Sequence, residues 1–258
     1  MLMRFSSTLV EGRLLRRYKR FLADVELSTG EIVTAHCANP GSMLGLNAPG
    51  SRVWLSRSDN PKRKLAYSWE LIEVDLGRGP ALVGINTSSP NGAVANAIQS
   101  GLVPELAGYT SLRREVRYGG NSRIDILLEH EKHPPCYVEV KNVHLMRRSG
   151  LAEFPDSVTV RGTKHLNALS EMAANGARAM MVYFIQRDDA ERFALADDID
   201  RAYADAFLEA ISRGVEAIAL ASALTLEGLG RPRAIPLDLS ISPAARSPLP
   251  LAPLVPAP

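Results

Sequence analysis

Between positions 122 and 141 the chain alternates apolar and polar residues twice. Ser122-Arg-Ile-Asp125-Ile-Leu-Leu and Cys136-Tyr-Val-Glu139-Val-Lys141 each show the period of two that predicts a strand with one buried face. The intervening segment contains His133-Pro134-Pro135 and predicts a break. A hairpin centred near Lys132 sets Asp125 directly across from Glu139. Ile124 and Ile126 then share the buried face, and Asp125, Glu139 and Lys141 point away from it.

The first third reads as short strands at 21–27, 31–37, 52–56, 66–76 and 81–85, separated by turn runs such as Asn39-Pro-Gly-Ser42 and Asp59-Asn-Pro61. Five short strands in that length predict a small closed barrel of the OB type. After Asn86 the pattern becomes helix (91–106), strand (112–118), the two strands above, helix (157–174), an apolar strand (178–186), a helix (199–213) stopped by Gly214, and a strand (215–220). That alternation predicts an α/β layered domain, so the fold class is α+β, a barrel followed by an α/β unit. The expected division is 1–85, 86–230 and a tail, 231–258, which carries eight of the 17 prolines and reads as disordered or polyproline-like.

Composition narrows the classes. With 46% hydrophobic and 22% charged residues the chain is an ordinary globular one, and a net charge of +2 excludes a polycation. Cys37 and Cys136 lack metal-ligand spacing and suit buried thiols in a reducing cytoplasm. Charges interrupt the first residues, and no window reaches transmembrane length, so a cytoplasmic protein without membrane contact is expected. Nothing in the pattern assigns an oligomeric state.

Basic residues cluster at Arg13, Arg16, Arg17, Lys19 and Arg20, and again at Arg57, Lys62, Arg63 and Lys64. Tyr18, Phe21, Trp54, Tyr67 and Trp69 are interleaved with them. Basic side chains track phosphates and aromatic faces stack on bases, a combination suited to nucleic acid. The alternative places the aromatics in the barrel core, where Trp54 and Trp69 are expected, and leaves the basic residues solvated.

Carboxylates facing each other across a hairpin, with Cβ atoms roughly 5 Å apart, repel. A hard divalent cation, Mg²⁺ or Mn²⁺, relieves that repulsion, and Lys141 adds a positive charge beside it. Asp125, Glu139 and Lys141 are therefore candidate phosphodiester-cleaving residues, although Val-Glu-Val-Lys also suits any solvated sheet face. Arg161, Lys164 and His165, at i, i+3 and i+4 of a helix start, form one polar patch suited to phosphate.

The order helix, three strands, helix, strand, with an acid on the middle strand and Glu-x-Lys on the third, resembles the PD-(D/E)xK nuclease superfamily. The resemblance extends further. Arg17-Tyr-Lys-Arg-Phe-Leu-Ala-Asp-Val25, His36-Cys-Ala-Asn-Pro-Gly-Ser-Met43, Lys62-Arg-Lys64, Ser122-Arg-Ile-Asp125, Tyr137-Val-Glu-Val-Lys141 and Phe154-Pro-Asp-Ser-Val-Thr-Val-Arg-Gly-Thr-Lys-His-Leu166 resemble the sugar fermentation stimulation protein A family. The resemblance implies an N-terminal OB-like domain, a nuclease-like C-terminal domain and non-specific DNA binding in bacteria. Many superfamily members carry a metal-holding glutamate on the first helix, where this chain has Asn96 and Gln99; Glu115 on the next strand is the candidate replacement. Two functions follow: Mg²⁺-dependent DNA cleavage, or a non-catalytic DNA-binding regulator that keeps the nuclease fold. RNA remains open as a ligand.

Overall fold

The computed structural model describes residues 1–118 and 122–238. The chain opens with β1 (Met3–Arg4), β2 (Val10–Tyr18), β3 (Leu22–Leu27), β4 (Ile32–Cys37), β5 (Arg52–Arg57), β6 (Tyr67–Asp75) and β7 (Pro80–Gly84). Strands β2 to β6 run in the order β4-β3-β2-β5-β6, and a parallel pairing of β4 with β6 closes them into a five-stranded barrel. Its interior is filled by Leu14, Val25, Ala35, Met43, Leu55, Trp69 and Ile72. Trp69 is fully buried, its indole N–H donating to the Leu71 carbonyl, and Trp54 is buried under the neighbouring helix.

The alternation readable in the sequence omits β2. Only Gly12 and Leu14 of that strand are buried, and its exposed positions, Glu11, Arg13, Leu15 and Arg16, do not alternate cleanly with apolar ones. Gly12 is required there: a Cβ would lie 2.5 Å from Val25 Cγ1.

The second unit comprises α1 (Ser89–Gln99), β8 (Ser111–Tyr118), β9 (Ser122–His130), β10 (His133–Val143), β11 (Leu145–Arg148), β12 (Leu151–Phe154), α2 (Val160–Ala174), β13 (Arg178–Ile185), β14 (Arg192–Leu195), α3 (Arg201–Ser212), β15 (Glu216–Thr225), β16 (Gly228–Ile235) and β17 (Leu237–Asp238). The main sheet runs β1-β16-β15-β13-β10-β9-β8, and β11-β12-β14-β17 forms a smaller one. One face packs on α1 and the other on α2 and α3, which explains the continuous burial of β13. The helix expected over 91–106 ends at Gln99, and Pro104–Leu106 forms a separate 3-10 turn, because Gly101 and Pro104 interrupt the helix.

The two ends of the chain depart from the expected division. Residues 3–4 pair with β16 in the main sheet and lie outside the barrel. The tail pairs into the sheet through β16, since Ile235 is buried and Pro232 sits opposite Ser222 of β15, and β17 ends at Asp238. Residues 239–258, the rest of the expected disordered segment, lie outside the described residues. No helix among the described residues is long and apolar enough to cross a membrane.

Candidate active site and nucleic-acid interface

Strands β9 and β10 pair in the register the sequence predicts from Leu128 opposite Cys136 to Ile126 opposite Val138, and Asp125 and Glu139 are the residues that follow the last of these pairs. The expected faces differ. Ile124 packs with the α2–α3 core, whereas Ile126 packs with the α1 core. Glu115, at the β8 position between the Arg114–Ile126 and Val116–Ile124 pairs, has a left-handed backbone (φ 54°), so β8 and β9 change face together at Glu115 and Asp125. At this kink Asp125 bonds to both neighbours. Its Oδ2 accepts the Val140 N–H at 2.8 Å, and its Oδ1 accepts Asn91 Nδ2 of α1 at 2.7 Å.

Glu139 is 2% exposed. Its Oε1 accepts Lys141 Nζ at 2.7 Å and contacts His165 Nδ1, while its Oε2 is buried without a hydrogen-bond partner among the described residues. Lys141 Nζ lies 3.3 Å from His165 Nδ1, and Arg161 Nε donates to His165 Nε2 at 3.2 Å. A chain of contacts thus runs from Glu139 through His165 to the α2 surface. Burial, with the charge of Glu139, pushes the Asp125 carboxyl up to about 6. Burial also raises Glu139, but Lys141 and His165 outweigh it and hold that carboxyl below its ordinary range. One acid of the pair is therefore kept ionised at the expense of the other.

A cavity of about 530 Å³ lies over Asp125, and Asn91, Glu115, Arg123, Arg161, Lys164 and His165 complete its wall. The structure thus unites Asp125, Glu139, Lys141, Arg161 and Lys164. Glu115 reaches the same cavity, but among the described residues no three His, Cys, Asp or Glu side chains are arranged to hold a metal. Asn91, Arg123 and the role of His165 were not legible in advance. His165 alone carried a signal, its helical spacing from Arg161.

On the barrel, Leu22 sits opposite His36 and His36 opposite Ser68, so the β3 and β6 strand starts share one end. The preceding loops carry Lys19 and Arg20, and Lys62, Arg63 and Lys64, all exposed at that end. Arg16 bonds Asp24 at 2.8 Å and lies over the Tyr18 ring. Arg17 is a correction. Its Nη2 donates to the carbonyls of Arg20, Asn39 and Gly41, and its Nε is buried, so its guanidinium holds a loop and is not presented to phosphate.

A closed barrel joined to a two-faced α/β sheet with an acid pair, a lysine and helix-borne cations over one cavity defines a two-part α+β protein with its chemistry in the second part. Family comparison gives that class a name. The SfsA N-terminal OB domain matches residues 15–85, and the sugar fermentation stimulation protein RE domain matches residues 88–228. The sugar fermentation stimulation protein homologue of Azorhizobium caulinodans is 57% identical over 91% of this chain and 99% of its own length. That of Rhodospirillum centenum is 57% identical over 92% and 100%. Among solved structures, SfsA of Pyrococcus furiosus in complex with Ca²⁺ superposes with a TM-score of 0.81 at 29% identity, covering 92% of this chain and 98% of that one. The chain belongs to the sugar fermentation stimulation protein family.

Proposed function

We propose that the protein binds DNA through the basic barrel loops and the α2 patch, without sequence preference, and that Asp125 and Glu139 hold a divalent cation, Mg²⁺ or Mn²⁺, for phosphodiester cleavage. The observation that carries this reading is the buried, unpartnered Oε2 of Glu139 beside a second carboxylate whose charge it disfavours. A buried anionic oxygen without a donor is costly, and a cation between two carboxylates answers that cost. The donor set is all oxygen, as hard cations prefer, and a Ca²⁺ complex is named for the Pyrococcus furiosus relative.

Within this reading, Asn91 and the Val140 N–H fix the Asp125 carboxylate, and His165 fixes Glu139. A bound cation supplies Lewis acidity toward the phosphate and lowers the pKa of a water. Lys141 orients the attacking water or offsets charge that develops on the phosphoryl oxygens. Arg161 and Lys164 hold the phosphate chain beside the acids.

The second reading is a non-catalytic DNA binder that keeps this fold. It is favoured by the arrangement of Glu139 Oε1, which Lys141 and His165 already satisfy, and by the fact that among the described residues no three His, Cys, Asp or Glu side chains are arranged to hold a metal. Incubating highly purified protein with supercoiled and single-stranded DNA, with and without Mg²⁺ or Mn²⁺, separates the two. Metal-dependent nicking that Asp125→Asn abolishes supports the first reading; binding without nicking supports the second.

A further inference from the structure

Arg117 of β8 and Arg123 of β9 stand directly opposite each other in the hairpin, and both are exposed. Like charges at directly opposed positions destabilise a strand pair. Several other strand arginines are neutralised by acids. Arg113 pairs with Glu129 at 2.9 Å, Arg178 with Glu216 at 2.5 Å, and Arg52, which faces Arg13, is bracketed by Glu11 and Glu73. Arg117 and Arg123 have no such acid among the described residues, and Glu115, two positions from Arg117, makes no ion pair with either. The fold alone gives this pair no reason to exist.

Its location supplies one. Arg123 lines the cavity over Asp125, as Arg161 and Lys164 do from α2. In sheet order β13-β10-β9-β8, α2 packs over β13 and β10, the acids stand on β10 and β9, and the two arginines lie at the β9–β8 edge. Arg123 from β9 and Arg161 and Lys164 from α2 therefore line one cavity with Asp125, and Arg117 stands beside Arg123.

We propose that Arg117 and Arg123 form a phosphate-binding pair for the DNA backbone, separate from the barrel loops and the α2 patch. It grips the strand on the β8 side of Asp125 while Arg161 and Lys164 grip it on the other. This rests on the DNA-binding reading above and deepens it: a chain held by phosphates on both sides of the acids is presented at an internal bond, not at a terminal nucleotide.

The test uses the full chain without metal, so that it does not depend on cleavage. Affinity for a single-stranded and a duplex DNA is measured across salt concentrations for wild type, R117A/R123A and R117K/R123K. Each phosphate contact contributes about 0.9 to the salt slope on duplex and about 0.7 on a single strand. The alanine variant should bind with a slope shallower by about one to two and a melting temperature no lower than wild type, since a repulsion has been removed. The lysine variant should keep the slope. An unchanged slope in the alanine variant, or a marked fall in its melting temperature, overturns the proposal while leaving DNA binding in place. Absence of DNA binding by wild type overturns both.

Discussion

Asp156, between β12 and α2, accepts the Met43 amide of the barrel at 2.9 Å and so ties the two units together. Ser42 Oγ donates to the Asp156 carbonyl at 2.6 Å, and His144 Nε2 stands 3.3 Å from the same carboxylate. The loop is shaped for this group: a Cβ on Gly41 would lie 2.7 Å from Asp156 Oδ2. Arg17 braces the loop from behind through the Asn39 and Gly41 carbonyls. The Asn-Pro-Gly-Ser-Met run of the barrel is thus a receptor for an anion of the α/β unit.

Burial raises the Asp156 carboxyl, but the His144 hydrogen bond and the Met43 and Ser42 donors outweigh it and hold it well below the usual carboxylate range. A carboxyl depressed in the folded state contributes stability above its ordinary pKa and loses it as pH falls through the folded value. Thermal stability should therefore decline below about pH 4, where carboxylates ordinarily protonate. Asp156→Ala should cost about 2–3 kcal/mol at pH 7 and flatten that decline. Melting curves of both proteins from pH 2 to 7 check this; parallel curves remove Asp156 from the account.

Asp125 behaves in the opposite sense. Its carboxyl is raised to about 6, so its contribution is present below the ordinary carboxylate range and is lost as pH rises through that value. Protein without metal should be less stable at pH 7 than at pH 5 on this account, and Asp125→Asn should remove the difference. Millimolar Mg²⁺ or Mn²⁺ should raise the melting temperature at pH 7 more than at pH 5, by mass action amounting to about 2.7 kcal/mol at a hundredfold excess over Kd. Calorimetry with and without metal measures both. A pH-independent metal effect, or none, dissociates the acid pair from the cation.

The parts of this molecule legible in the sequence are those that depend on local alternation. The β9–β10 register follows from two short apolar patterns and a proline break, and the β13 strand from an unbroken apolar run. What was not legible depends on backbone shape or on distant partners. The change of face at Asp125 needs the left-handed Glu115 on another strand. The engagement of Arg17 needs a loop more than twenty residues away in sequence. Residues 231–238 read as tail because of proline content, yet an edge position in the sheet tolerates Pro232.

Lys141→Ala should separate binding from chemistry. Lys141 Nζ is bonded to Glu139 Oε1 and does not belong to the oxygen donor set, so a cation should still raise the melting temperature of the variant. Removal of one donor at a developing negative charge typically lowers a rate by about a hundredfold to a thousandfold. Metal-dependent nicking of supercoiled DNA should fall by that order, with DNA affinity little changed. A variant that nicks like wild type would exclude Lys141 from the reaction.

The barrel cations should divide into two kinds. Lys62, Arg63 and Lys64 are exposed on one loop, and among the described residues only Arg63 of the three has a side-chain partner, Ser68 at 2.9 Å. Replacing all three with alanine should make the salt dependence of DNA affinity shallower by about two to three, at about 0.9 per phosphate on duplex, with little change in melting temperature. Arg17→Ala should do the reverse, because its guanidinium is spent on three carbonyls. Each lost bond from a charged donor is worth about 1.5–3 kcal/mol, so that variant should melt earlier while its salt slope stays that of wild type. Binding isotherms at several salt concentrations, run beside melting curves, read both quantities on the same preparations. A shallower slope for Arg17→Ala would return Arg17 to the DNA interface, and an unchanged slope for the triple variant would remove that loop from it.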